Sequence, residues 1–205
     1  MSFLTLLPMA FVMIAGPQVL SSVFLATSEN WARNSLAYLA GAAIGITAVV
    51  TAAYLLGSGV SRAGASDNAL YIVVLVLLVA AMIHAYVKRN ESRPPAWMGK
   101  LQTASPRFAF TLGLLLLGVF PTDILTSVAV GTYLAAHHDP WWHVLPFVAL
   151  TLLLLGLPAL LLLAMGKRAQ AFLPKARDWM TTNSWVVNEI VLVFFVVIVL
   201  NSLLG

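Results

Sequence analysis

The chain has 205 residues, of which 61% are hydrophobic and only 9% are charged, and its mean hydropathy is +0.95. A soluble domain of this length could not bury so much apolar surface, so the composition predicts an integral membrane protein. The absence of cysteine excludes disulfides, thiol redox relays and thiolate metal sites. The formal net charge is +4, but the positions of the basic residues are more informative than their sum.

Apolar runs long enough to cross a bilayer occur six times, which predicts an all-α integral membrane protein with six transmembrane helices. In chain order the predicted spans are 2–25, 36–60, 69–87, 108–136, 144–165 and 185–204. The first run is too long for a cleavable signal and lacks a basic n-region. The connections 88–107 and 166–184 are too short to be domains, although 171–181 could form an interfacial helix. We therefore predict one membrane domain, 1–205.

The basic residues predict the orientation of these spans. The side shared by the connections one–two, three–four and five–six carries Arg33, Lys88, Arg89, Arg93, Lys100, Arg107, Lys167, Arg168, Lys175 and Arg177. The opposite side carries Arg62 alone. The positive-inside rule then places the three basic connections in the cytoplasm and both termini outside a plasma membrane.

Asp123 is the main candidate for a functional residue, because it lies within the otherwise uncharged run 108–136. An ionisable side chain at bilayer depth costs about 2.5–3.5 kcal/mol on insertion scales and therefore normally faces the protein interior or a watery cavity. It follows Pro121, which removes a helical hydrogen bond and predicts a break in the fourth span. We expect its partner to come from another helix, with Gln18, Ser21 and Ser22 as the nearest candidates.

The two halves of the chain resemble each other around their first prolines. The word at 16–23 is similar to the word at 120–128 if one residue is inserted after the proline. Three spans in each half predict two inverted three-helix repeats, 1–88 and 106–205, joined by a cytoplasmic linker, 89–105. The predicted substrate site at their meeting point consists of Pro17, Gln18, Ser21, Ser22, Pro121, Thr122, Asp123, Thr126 and Ser127.

Small residues in the second span predict close helix packing rather than a substrate site. They are Gly41, Ala42, Gly45, Ala48 and Ala52, which together form a small-xxx-small face.

The metal and enzyme signals in the chain are weak. His137, His138, Asp139 and His143 form a cluster, but it lies in one short outer loop beside Trp141 and Trp142, which are typical of an interfacial anchor. There is no Walker A word, no HExxH, no nucleophile elbow and no close carboxylate pair within a span. We predict no enzyme activity, no resident metal or cofactor and no nucleic-acid partner.

The proline words, the segment 33–45 and the tail word at 173–180 followed by Asn183 resemble a known family. They are similar to the LysE superfamily of small exporters, and more closely to the actinobacterial GAP/Sap group of glycopeptidolipid- and sulfolipid-addressing proteins. That family often carries an Asn-Pro-Lys-Asn-like word in its fourth helix. This chain instead has Phe120-Pro121-Thr122-Asp123, so a cation is missing and an anion is present one position later.

The resemblance implies an exporter that moves or delivers a cell-envelope (glyco)lipid or its precursor across the plasma membrane. Its partners would be membrane lipids, with a glycolipid or anionic lipid as substrate, and a larger lipid-export complex; a homodimer stays open. Coupling would use protonation of Asp123 or the lipid gradient. Two alternatives stay open as well: a non-transporting scaffold of a lipid synthesis and export complex, and a LysE-type efflux carrier for a small solute.

The predicted orientation can be tested at the last residue. A reporter that fluoresces only in the cytoplasm, fused after Gly205, should give dark cells, because the basic residues place that end outside. Bright cells would contradict the topology.

Overall fold

The computed structural model describes residues 9–11, 13–14, 16–57 and 100–183, together with the single positions 186, 193, 196 and 197. In this part of the chain the regular structure is helical, without strands. The helices are α1 (Pro17–Ala26), α2 (Trp31–Gly57), α3 (Pro106–Val119), α4 (Pro121–Ala136), α5 (Leu145–Met165) and α6 (Lys167–Thr182), with a 3₁₀ turn at Trp141–Val144 before α5. The predicted span 69–87 and nearly all of 185–204 lie outside the described residues, so the prediction of six spans stays a prediction.

Two helical segments among the described residues are long and apolar enough to cross a membrane. They are Trp31–Gly57 and Trp141–Met165, and a third span results if the bent pair α3 and α4 counts as one. The sequence predicted these spans at 36–60, 144–165 and 108–136, so hydropathy located all three and misjudged mainly their ends. The described helices therefore agree with the membrane protein that the composition predicts.

The predicted span 108–136 is broken rather than continuous. The axes of α3 and α4 differ by 61°, and the residue between them, Phe120, has an extended backbone. Pro121 is the first residue of α4, where its missing N–H costs nothing. The break predicted from Pro121 is confirmed.

A second break precedes Pro17, which is the first residue of α1. Gly16 has φ +90° there, a left-handed conformation that glycine adopts without the Cβ penalty. Both prolines of the predicted repeat therefore start a helix. The half-turn symmetry between 1–88 and 106–205 stays a prediction, because 58–99 lies outside the described residues.

Glycines bring α2 against α3 and α4 at backbone distance. A Cβ added to Gly41 would collide with the carbonyl oxygen of Phe110, and one added to Gly45 would lie 2.9 Å from Leu114 O. From the other side, a Cβ on Gly113 would collide with Tyr38 O. Such contacts maximise van der Waals packing where no hydrophobic effect drives helices together.

The small-residue face predicted in the second span is confirmed in part. Gly41, Ala42 and Gly45 are buried in this contact. Ala48 and Ala52 are exposed among the described residues, so they lie outside it.

The basic segments that the structure describes lie at one end of the helices. Asn34 Nδ2, near the start of α2, donates to Ala104 O just before α3, over 3.0 Å. The guanidinium of Arg177 on α6 lies 5.4 Å from the centre of the Phe24 ring, near the end of α1. A helix was predicted at 171–181, and the longer α6 includes it; its location at the membrane interface stays a prediction.

At the other end, the loop before α5 is attached to α2. Trp141 Nε1 donates to Thr51 Oγ1 over 2.9 Å, and Tyr54 Oη donates to the Asp139 carbonyl over 3.0 Å. Because α2 contacts α3 near its own start and α4 near its own end, it runs parallel to the broken pair.

The glycine contact predicts the effect of one methyl group. Gly113→Ala should lower the free energy of unfolding by about 1–3 kcal/mol, because its Cβ meets backbone atoms of α2 that cannot rotate away. The measurement is thermal unfolding of the purified protein in detergent.

Gly156→Ala is the matched control on α5. Its Cβ would meet only the side-chain atom Leu39 Cδ1, at 3.4 Å, and alanine favours helix by roughly 0.5–1 kcal/mol over glycine. Equal destabilisation by the two variants would contradict the backbone contact.

Candidate functional site

Asp123 lies in the first turn of α4 and is fully buried. Gln18, in the first turn of α1, donates a hydrogen bond from Nε2 to Asp123 Oδ2. The first turn of a helix favours a carboxylate, because the N-terminal end of the helix carries a partial positive charge. The expectation that Asp123 faces the interior, with a partner from the first span, is therefore confirmed for Gln18.

Tyr38 on α2 makes a hydrogen bond to the backbone of Gln18. Its side chain is 1% exposed, and its Oη donates to the backbone carbonyl of Gln18 over 3.0 Å. The bond fixes the start of α1 against α2, so three helices meet at Gln18. We call the set Gln18, Tyr38, Asp123 and Ser127 the polar junction.

Three buried oxygens of the polar junction have no hydrogen-bond partner among the described residues. They are Gln18 Oε1, Asp123 Oδ1 and Ser127 Oγ. Ser127 is one turn after Asp123 on α4, so the two side chains share a face. A buried polar atom without a partner costs about 1–3 kcal/mol, which makes the junction a place where water, a proton or a ligand would be stabilised.

The other predicted site residues do not join the junction. Ser21 Oγ donates to Pro17 O over 2.6 Å, and Ser22 Oγ donates to Val19 O over 2.8 Å. Thr126 Oγ1 likewise donates to the carbonyl one turn before it, over 2.8 Å. These three hydroxyls satisfy their own helices, as serine and threonine commonly do.

Of the prolines and their neighbours, Pro121 and Thr122 are exposed and Pro17 is half-buried. The prolines act through the backbone by starting the helices. Thr122 lies on the outer side of α4, away from Asp123. None of the described contacts tests binding of a substrate by any of the nine predicted residues.

A second buried polar cluster lies near the start of α2 and was not predicted. Asn34 is fully buried, and its Nδ2 donates to Ser28 Oγ over 2.9 Å as well as to Ala104 O. The only signal in the sequence was that Asn34 and Tyr38 are one turn apart on an apolar helix. Ser28 precedes the helix and Ala104 is 70 residues away, so helical periodicity could not identify either partner.

The histidine loop between α4 and α5 has local contacts. His143 Nδ1 lies 3.5 Å from Asp139 Oδ1, whereas the His137 ring stacks on Tyr133 at 3.9 Å. In the part of the chain that the structure describes, no three His, Asp or Glu side chains come close enough to hold a metal ion.

A protein-family model matches residues 6–204, almost the whole chain. Its description is Sap, sulfolipid-1-addressing protein. The chain belongs to this family. No curated protein and no solved structure matches it. The narrower part of the resemblance, to Sap proteins, is confirmed; the wider link to the LysE superfamily is not shown.

In this Sap-family protein, the match includes both breaks and all four residues of the polar junction. It also includes Phe120-Pro121-Thr122-Asp123, whose carboxylate is fully buried.

The junction predicts energetic coupling between α1 and α4. Gln18→Leu and Asp123→Leu should each lower the free energy of unfolding, because each leaves a buried polar partner behind. The double variant should be less destabilised than the sum, with a coupling energy of about 1.5–3 kcal/mol for a hydrogen bond to a charged group. Thermal unfolding of the four proteins in detergent measures this.

Ser22→Ala is the control, because that hydroxyl bonds only to the backbone of its own helix. It should change stability by less than either junction variant. Strict additivity of the Gln18 and Asp123 changes would show that the two side chains do not pair.

Proposed function

We propose that this Sap-family protein moves or delivers a cell-envelope lipid across the plasma membrane, with the polar junction as its internal site. The observation that supports this most is the set of unpartnered oxygens where two interrupted helices start inside an apolar protein. Interrupted helices with their ends at mid-membrane are how many carriers build a substrate site. The family description, which refers to addressing a sulfolipid, supports a lipid as the cargo.

The depth of the junction supports an internal site. After Gln18, α1 continues to Ala26 at the basic side, which is about 12 Å along the axis at 1.5 Å per residue. The hydrocarbon core of a bilayer is about 30 Å thick, so the junction is near its middle.

The chemistry of the junction constrains the cargo. Two helix N-termini favour an anion, whereas an ionised Asp123 would repel one. A sulfated or phosphorylated headgroup could approach Gln18 only if Asp123 carried a proton or if sugar hydroxyls faced the carboxylate. We propose that loading of an anionic headgroup accompanies protonation of Asp123; movement down the lipid gradient remains the alternative source of energy.

The complete architecture in this proposal has six spans in two inverted halves and both termini outside the plasma membrane, as in LysE-type exporters. It is supported by the two prolines that start helices after breaks and by the location of the described basic segments at one end. The role is binding and transport rather than catalysis. A scaffold within a lipid-export complex is the second candidate, because the family description refers to addressing rather than to transport.

Reconstitution tests the carrier directly. The protein is placed in liposomes with NBD-labelled sulfatide, and dithionite quenching reports how fast the probe crosses the bilayer. The wild-type protein should accelerate crossing over protein-free liposomes. Asp123→Asn should slow it by tenfold or more, because the amide cannot exchange a proton with an arriving anion.

Thr111→Ala is the matched control, since that hydroxyl is exposed on α3 and bonds to Arg107 O. This variant should move labelled sulfatide across the bilayer at the wild-type rate. If the wild-type protein leaves the crossing rate of sulfatide unchanged, the proposed carrier role is wrong and the scaffold role is favoured.

A further inference from the structure

A cavity lies at the basic end of the helices, away from the polar junction. Its volume is about 260 Å³, and it lies between the end of α1, the start of α2, the end of α5 and one side of α6. The residues that line it include Thr27, Ser28, Leu162, Gln170, Leu173 and Pro174. We call it the α6 pocket.

The α6 pocket has a polar side and an apolar side. Gln170 contributes an amide, whereas Leu162 and Leu173 belong to a small buried apolar cluster. The hydroxyls of Thr27 and Ser28 also line the pocket, and each donates to the carbonyl three residues before it. Cavities for drug-sized ligands start at about 300 Å³, so this one suits a headgroup with its glycerol rather than a whole lipid. Acyl chains would remain outside, along α5, where Leu163 is 71% exposed.

The charges around the α6 pocket favour an anion. Helix α6 carries Lys167, Arg168, Lys175 and Arg177 against one acid, Asp178. Arg177 follows Gln170 by seven residues and Pro174 by three, which places it on the pocket side of the helix. Its guanidinium contacts both Asp178 and the Phe24 ring, so it is held beside the end of α1.

One exposed face of α6 has the pattern of a helix that lies at the depth of lipid headgroups. Arg168, Phe172, Lys175 and Trp179 recur every three or four residues and are exposed. Phe172 is 60% and Trp179 is 53% exposed. Alternation of cations and aromatic rings on one face is typical of helices that lie in the interface of an anionic membrane.

We propose that the α6 pocket binds the phosphate or sulfate ester headgroup of a lipid in the leaflet on the basic side. The positive-inside rule identifies that leaflet as cytoplasmic. Helix α1 lines the pocket at one end and carries Gln18 at the other, so the pocket is a docking position on the way to the polar junction. The inference rests on the lipid-handling role proposed above.

Native mass spectrometry of the detergent-solubilised protein tests this without transport. The wild-type protein should retain one phosphatidylglycerol in preference to phosphatidylcholine. Arg177→Gln, which removes the charge beside the pocket, should weaken phosphatidylglycerol binding about tenfold. Lys175→Gln removes the same charge from the exposed face of the same helix and should weaken it by less than about twofold.

Gln170→Trp provides a second variant that keeps the charge and fills the cavity, and it should also weaken binding about tenfold. Equal weakening by Arg177→Gln and Lys175→Gln would reduce the effect to diffuse surface charge and overturn the pocket. Displacement of the lipid by an equal concentration of free glycerol 3-phosphate would also overturn it, since a soluble anion would then be the ligand.

Sulfatide crossing separates this inference from the transport proposal. If the wild-type protein moves sulfatide but shows no preference for phosphatidylglycerol, the pocket inference fails and the carrier stands. If it prefers phosphatidylglycerol but does not move sulfatide, the carrier fails and the pocket stands.

Discussion

The backbone contact between α2 and α3 determines where the polar junction can form. Gly113 lies against the carbonyl of Tyr38, so the position of Tyr38 is fixed by a glycine on another helix. Tyr38 then holds the carbonyl of Gln18, and the Gln18 amide holds Asp123. The order of dependence is therefore packing first and polar contacts second. In a membrane this order is expected, because close approach of small residues is the main source of helix association.

The break at Phe120 solves a problem that a straight helix would create. A continuous span 108–136 would place Asp123 part-way along a helix, without the positive end that favours a carboxylate. Starting a new helix at Pro121 puts Asp123 in a first turn. The same break turns α4 by 61° relative to α3 while α2 still contacts both. Pro121 acts here through the backbone, by starting α4, and this role does not require its ring to be buried.

Much of this arrangement could be predicted from the sequence, and the reason is energetic. Hydropathy located the spans among the described residues because a helix satisfies its own backbone polar groups inside lipid. The cost of burying a carboxylate predicted that Asp123 needs a partner, and the position of the first proline indicated Gln18. Rotation of a helix about its axis could not be predicted in the same way. Thr122 differs from Asp123 by one residue and about 100°, and only packing decides which of them faces inward.

Tyr38 and Asn34 show a second limit of the sequence. Each makes its decisive hydrogen bond to a backbone carbonyl, Gln18 O and Ala104 O respectively. Any residue type can provide a carbonyl, so the partner leaves no mark in the sequence. Ser21 and Ser22 illustrate the converse, because their hydroxyls looked available and are occupied by carbonyls of their own helix.

The attachment of the Trp141 loop to α2 has a mechanical consequence. Two side-chain bonds, from Trp141 to Thr51 and from Tyr54 to Asp139, tie α2, α4 and α5 together at the end opposite the basic segments. These two bonds oppose separation of the helices at that end, whereas the cavity beside α6 lies at the opposite end. Any movement that parts α2 from the Trp141 loop would therefore have to break both bonds.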